Sequence, residues 1–489
     1  MTHRVLALLG IATIGVLHPS SAQKLDRTTP PVLSPPPSLR LPPIEAASLP
    51  NGLALYVVEM REVPVVQFSL AVPGGGRQDG ARPGLSSFAA DLLDEGADTL
   101  DAFGIAALAE YYGADLSTYA DWDAMVVSLK VPYRNLDSAL SLMATVALRP
   151  SFRDIDVARQ RDLRLARILQ QRDRPESVAN LAFNALVFPA GHPYHASLTG
   201  DSLSTIGLDS TIVREFYAQV FCPNAATLVV TGSVSVAEAM QAAQSHFGTW
   251  QRCQASAVAE AAPAQHDLTS PVDLSIDRTH VFLVDKPGAP QSVIRIGWPG
   301  ISRHSADYII IEVMNTILGG SFSSRLNSNL RETKGYTYGA WSGFAYRPLP
   351  GPFTAGASVR TDVTDSALVE FFREIRTIRD SAVTPTELDR AKAYLALGLA
   401  GEFETTSQMA GKVMELLTFG LPRTYYDDYV QRVMAVTAAD VQRVAREYLQ
   451  PDRTVVVVVG DVASIRAPMD ALGLGASSIR DLAGQPVAN

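Results

Sequence analysis

The sequence predicts an α+β protein made of two homologous domains of about 220 residues each. Two observations carry this. Short apolar or alternating runs rich in branched residues are interspersed with longer stretches of helical period, the mixture expected of sheets that carry helices. The second half of the chain also repeats the first. Phe221–Val234, "FCPNAATLVVTGSV", matches Leu449–Val462, "LQPDRTVVVVVGDV", setting Pro223 against Pro451 and Gly232 against Gly460, each 228 residues on. Phe68–Gly74 matches Ile294–Gly300 at a shift of 226 (Pro73 to Pro299). Ser151–Arg159 matches Thr384–Lys392 at a shift of 233 (Ile155 to Leu388). Three matches in order at nearly constant shift mean a duplicated domain, not a solenoid of short repeats.

The elements follow in chain order. Residues 1–22 have a basic start at Arg4, an apolar run from Val5 to Leu17 and small residues Ser20-Ser21-Ala22, the pattern of a secretory signal peptide cleaved after Ala22. Residues 23–43 include "TTPPVLSPPPSLRLPP", which reads as an extended tether rather than a packed element. The first domain is expected over 44–252. Gly52–Met60 and Val65–Gly75 read as strands, with Arg61–Pro64 as the turn and Gly74–Gly76 as the stop. Leu85, Phe88, Leu92 and Leu93 recur at helical spacing, so 84–95 reads as a helix closed by Gly96. Asp101–Tyr112 is a second helix capped by Gly113, and Asp123–Pro132 a strand. Helical patterns fill about 135–186 and 208–219, and Ala226–Val234 is a core strand. Residues 253–271, rich in Ala, Ser, Gln and Pro, form a linker that permits hinge motion. The second domain runs over 272–475 and a tail over 476–489.

Composition narrows the function. Of 489 residues, 47% are hydrophobic and 19% charged, enough for ordinary cores. One of the 41 Lys and Arg residues and none of the 50 Asp and Glu residues lies in the signal segment, so the net charge of −9 becomes −10 on its removal. That balance argues against a nucleic-acid binder, which needs a basic face for phosphates. No stretch is long and apolar enough to span a membrane. The only cysteines, Cys222 and Cys253, belong to no metal or nucleophile motif, and an oxidising compartment leaves a bridge between them open.

Five stretches bear a resemblance. "NGLALYVVE", "PGGGRQDGARPGLSSFAADLLDEG", "FPAGHPYHASLTGD", "NLRETKGYTYGAWSGF" and the two late core strands resemble the pitrilysin/insulinase family of zinc metallopeptidases, close in build to mitochondrial processing peptidase. The likeness covers 45–470. It implies two domains, each a mostly antiparallel sheet with helices packed on one face, arranged as a clamshell. Active members carry H-x-x-E-H on the first long helix, two zinc-binding histidines flanking a glutamate that polarises water. Here the histidine positions hold Ser87 and Asp91, and the glutamate position Ala90. The third ligand, a glutamate on a later helix, falls in Arg159–Glu176, where Arg164 and Arg167 would repel a divalent cation. No catalytic zinc is expected on this chain, and Ser87 and Asp91 are expected to form a polar patch on the helix face. His192 and His195 in "GHPYH" read as loop histidines bonded to backbone, and Asp94, Glu95, Asp98 and Asp101 as a solvated acidic loop.

The resemblance leaves half a site. In the family an arginine and a tyrosine in R-E-x-x-G-x-x-Y on a second domain complete the zinc site, and the matching residues are Arg331 and Tyr338, with Glu332 and Gly335 in register. Gly319, Gly320 and Ser321 precede them as expected peptide-binding positions. Some bacterial members divide the work: one chain carries zinc, a second the Arg/Tyr pair. This chain resembles the second, an exported periplasmic subunit that needs a zinc-bearing homologue and a peptide substrate. A non-catalytic binding or scaffold protein, and a stand-alone peptidase using Asp91, stay open.

Overall fold

The computed structural model describes residues 40–254, 277–475 and 477–487. The expected signal peptide, most of the tether and nearly all of the linker lie outside these residues. Two six-stranded sheets organise the fold. The first uses β1 (Glu45–Ser48), β2 (Ala54–Glu59), β3 (Val65–Pro73), β4 (Asp115–Ala120), β5 (Ala124–Pro132) and β6 (Thr227–Gly232), in the order β4-β5-β3-β6-β2-β1. All its pairs are antiparallel except β2 with β6. The second uses β7 (His280–Asp285), β8 (Gln291–Pro299), β9 (Thr337–Phe344), β10 (Pro352–Arg360), β11 (Val455–Gly460) and β12 (Ser478–Arg480), in the order β9-β10-β8-β11-β7-β12. Five consecutive positions match between the sheets, and the parallel pair β7–β11 answers β2–β6. The duplication read from the sequence is thus a duplication of topology.

The outermost strands differ. β1 comes from the start of the described chain and runs antiparallel to β2, whereas β12 comes from its end and runs parallel to β7. Residues 478–480 therefore extend the second sheet instead of forming a tail. A three-residue strand at a sheet edge leaves too short an apolar pattern to stand out in sequence. The end of the proline run is packed as well. Leu41 and Ile44 lie against the second half's core, and Arg423 donates to the Ile44 carbonyl at 2.7 Å.

Helices cover the sheets according to strand alternation. Along β3, Val66, Phe68, Leu70 and Val72 enter the first half's core, while Gln67 and Ser69 point to the other face. The core face receives helices of its own half, including α1 (Leu85–Asp91) and α3 (Leu136–Leu148). The long helical stretch expected over 135–186 resolves into α3, α4 (Asp154–Gln171) and α5 (Pro175–Val187). Pro175 starts α5 at a position where its missing N–H costs nothing. α5 leaves its own half and packs on β8 and β11 of the second sheet. There Phe183 lies over Gly297, where a Cβ would come within 2.7 Å of its ring. The reciprocal element is α6 (Thr406–Thr418), begun by a capping box between Thr405 and Gln408. It packs on β3 and β6 of the first sheet, and Thr231 donates to the Thr406 carbonyl at 2.7 Å.

Each half thus lends one helix to the other's sheet. The described parts of both halves fall in one compact unit, joined through the buried faces of α5 and α6. Cys222 and Cys253 form a disulfide with Cα atoms 5.5 Å apart, so the question left open by sequence is answered. Asn224 holds the same segment, accepting from the Cys253 N–H at 3.1 Å. Among the described residues no helix is long and apolar enough to cross a membrane.

Candidate functional site

The site is built first on α1. Gly84, at φ +89°, starts the helix, and a Cβ there would meet the Thr199 carbonyl oxygen at 2.6 Å. Asp79 satisfies two free N–H groups of the first turn, accepting from Gly84 at 2.7 Å and Ser86 at 2.8 Å. Burial pushes the Asp79 carboxyl up to about 6, against the pull of these hydrogen bonds. The helix stops at Asp91, four residues short of expectation, because 92–94 turn with Leu92 and Leu93 fully buried.

Ser87 and Asp91, four apart, share one face of α1. Ala90 is fully buried in the core and offers no base. Arg164, projecting from α4 and only 5% exposed, stands between Ser87 and Asp91. Its Nη1 donates to Ser87 Oγ and to the Gly84 carbonyl, both at 2.9 Å. Its Nη2 donates to Asp91 Oδ2 at 2.8 Å. The guanidinium also lies 5.0 Å from the Phe88 ring centre, within cation–π range. Ser87 in turn donates to the Leu198 carbonyl at 2.9 Å.

In the polar patch that Ser87 and Asp91 form on the helix face, a buried cation joins the two. Arg164, which the sequence marks as hostile to a metal, fills the place between the two ligand positions. Arg167 is exposed. The residues do not fit a catalytic zinc, which needs about three protein ligands and a coordinated water. Among the described residues no three His, Cys, Asp or Glu side chains are grouped to hold a metal.

The acidic loop is solvated at Asp98 and Asp101, and its carboxylates are also paired. Glu95 accepts from Arg159 and Gln160, Asp98 lies 3.2 Å from Arg149, and Asp101 caps helix α2 (Ala102–Tyr112) by accepting from Gly104 N–H. Asp94 is largely buried, and burial, helped by Glu95 and Asp91, raises its carboxyl to about 6. The partners of Glu95 and Asp98 arrive from elements distant in sequence, so the local charge run gave no sign of them. His195 Nδ1 lies 2.8 Å from the Phe188 carbonyl, and His192 stacks on the Phe188 ring and accepts from Tyr194 N–H.

The second group lies on the other half. Residues 316–320 and 328–333 are π-helical turns flanking the Gly/Ser loop. Gly319 is buried where the loop crosses β9, and a Cβ would come within 2.3 Å of Ser342 N. Ser321 donates to the Thr316 carbonyl at 3.0 Å. Of the three expected peptide-binding positions, Gly320 alone is exposed, while Gly319 and Ser321 serve the loop's own packing. Arg331 lies 4.5 Å from the Phe322 ring centre and 3.4 Å from Glu332. Tyr338 is 91% exposed on β9, so it is not a core residue. Asn327 ties the two segments, donating to the Phe322 carbonyl at 2.7 Å and accepting from Ala340 N–H at 3.2 Å. Phe322, 70% exposed beneath Arg331, went unread; a large aromatic inside a Gly/Ser stretch was its only signal.

A two-half fold, with a buried arginine between Ser87 and Asp91 on one half and a half-exposed Arg331 and exposed Tyr338 on the other, defines the class of protein. Two family models match it. One, described as insulinase (peptidase family M16), matches residues 56–197, and one described as the peptidase M16 inactive domain matches 208–395. The chain belongs to this insulinase-type family. It is 24% identical over 419 residues to an uncharacterised zinc protease of Mycobacterium leprae, covering 85% of this chain and 92% of that one. It is 23% identical over 384 residues to a Helicobacter pylori protein named a non-peptidase homologue, covering 78% and 85%. A crystal structure of a peptidase M16 inactive domain from Pseudomonas fluorescens superposes with a TM-score of 0.75 at 26% identity, covering 85% of this chain and 98% of that one.

Proposed function

We propose that this chain is the zinc-free, exported subunit of a heteromeric insulinase-type metallopeptidase. It binds peptide and completes the active site of a zinc-bearing homologue with Arg331 and Tyr338. The observation that carries the reading is a contrast within one molecule. A buried arginine occupies the ligand face of α1, while Tyr338 stands 91% exposed and Arg331 is held half-exposed over Phe322. A phenol and a guanidinium are the donors that peptide hydrolysis uses at the carbonyl oxygen as negative charge gathers on it. The partner's zinc would supply the activated water; this chain would orient the substrate carbonyl and donate to it. The disulfide supports residence in an oxidising compartment, consistent with the periplasm.

The test mixes the purified full-length chain with a zinc-bearing homologue from the same cell and follows cleavage of a peptide. Cleavage should rise greatly over either chain alone, and Arg331→Ala or Tyr338→Phe should abolish most of the gain. Full activity in both variants overturns the reading. A non-catalytic binding or scaffold role is the second reading, favoured by the name of the Helicobacter pylori relative. It predicts stable complexes that cleave nothing.

A further inference from the structure

We propose that Arg164 is the resident cation of the vacated ligand face: its guanidinium ties α1 to α4 and to the 198–199 segment, and bars a divalent metal from the same place. The geometry is that of a site built around a central positive charge. Four oxygens converge on one head group: Gly84 O and Ser87 Oγ at 2.9 Å, Asp91 Oδ2 at 2.8 Å and, at longer range, Thr199 O at 3.5 Å. These oxygens come from α1, its N-terminal cap and the 198–199 segment, while Arg164 itself comes from α4. Ser87 adds a second link, to Leu198 O at 2.9 Å. Phe88 supplies a ring face at 5.0 Å.

The surrounding charge explains why a cation is retained there. Asp79, Asp91, Asp94 and Glu95 all lie on or beside α1, and only Glu95 draws on another arginine, Arg159. Arg164 is the ion-pair partner of Asp91 and also acts electrostatically on Asp79. A planar guanidinium bridges two helix positions four apart and still reaches a backbone carbonyl, which one lysine ammonium cannot match. No metal is then needed to hold α1 in place, and a dication would have to displace a buried, hydrogen-bonded charge.

Two measurements on the full-length chain test this. The first compares Arg164→Leu and Arg164→Lys with the parent by thermal unfolding and by hydrogen exchange of residues 85–91. The Leu variant should melt several degrees lower and exchange at least tenfold faster in α1, and the Lys variant should recover part of both. Unchanged exchange in the Leu variant overturns the staple. The second introduces Ser87→His, Ala90→Glu and Asp91→His together, with Arg164 either kept or changed to Gln, and measures zinc by equilibrium dialysis. Zinc should bind at least tenfold more tightly when Arg164 is replaced. Equal affinity in the two backgrounds overturns the exclusion. If Arg164→Leu yields no folded protein, the Lys variant and the dialysis pair decide the matter.

Discussion

Ser407, on α6, donates its hydroxyl to Gln67 Oε1, on β3, at 3.0 Å across 340 residues of sequence. On the other sheet Arg295, on β8, donates to Asn180, on α5, at 2.8 Å. Each half thus fixes the other's borrowed helix with a polar bond to its sheet. An insulinase-type chain built this way folds as one body, because neither sheet face is complete without the other half.

This yields a prediction about cooperativity. Phe183 is 2% exposed and packs in the second half's core although it belongs to the first. Phe183→Ala should cost about 3–5 kcal/mol through lost burial and a residual cavity. The loss should appear in one unfolding transition shared by both halves, followed by calorimetry or urea titration. Two separate transitions, with the first half's midpoint unchanged, would refute the interlock.

The disulfide gives a second prediction. It closes a loop of 31 residues and anchors the chain just before residue 255. By loop-closure entropy it should contribute about 3–4 kcal/mol. Replacing both Cys222 and Cys253 with Ala, or reducing the native chain, should lower stability by roughly that amount. The native chain should take up no iodoacetamide until it is unfolded and reduced.

How much of this was legible in sequence depends on range. The four strands read in the first half lie within a few residues of β2, β3, β5 and β6 because their apolar patterns are local, whereas β1 and β4 went unread, and the domain repeat was visible because Pro223 and Gly232 recur at Pro451 and Gly460. The loss of the zinc motif was legible from Ser87, Ala90 and Asp91 alone. What lay beyond reach was partnership. That Arg164 would enter the ligand face, rather than merely oppose a metal there, depends on α4 lying within side-chain reach of α1. The exchange of α5 and α6 is equally hidden, since a helix's apolar stripe does not say which sheet it covers. Gly319 shows the same limit: a glycine required by a close backbone crossing at Ser342 looks the same in sequence as one that makes room for a ligand.

A third prediction concerns pH. Asp79 and Asp94 each have a carboxyl raised from 3.8 to about 6, chiefly by burial. The folded chain therefore holds these protons more tightly than the unfolded chain. Their protonated forms favour folding below about 4, and that contribution is lost as pH rises through about 6. Asp94→Asn should leave stability nearly unchanged at pH 4 and raise it at pH 8, read as a shift of the urea midpoint. A variant less stable than the parent at pH 8 would contradict the burial account.

The fourth prediction separates chemistry from folding at the Arg/Tyr pair. Tyr338 is almost fully exposed, so Tyr338→Phe should change stability by less than about 0.5 kcal/mol. If its hydroxyl donates to a developing oxyanion, the same change should cost the reconstituted peptidase about 2.7–4 kcal/mol of barrier, a loss of roughly 100- to 1000-fold in kcat. Arg331 adds a geometric requirement. Its guanidinium is set by Phe322 at 4.5 Å and by Glu332 at 3.4 Å, so Arg331→Lys keeps the charge and loses the planar fork. That variant should lose most of the activity. Phe322→Ala leaves the guanidinium intact but unsupported and should lose less, mainly in kcat and not in KM. Equal loss on Phe322→Ala and Arg331→Lys would mean that Phe322 itself contacts the peptide, and that the arginine is there to hold the ring.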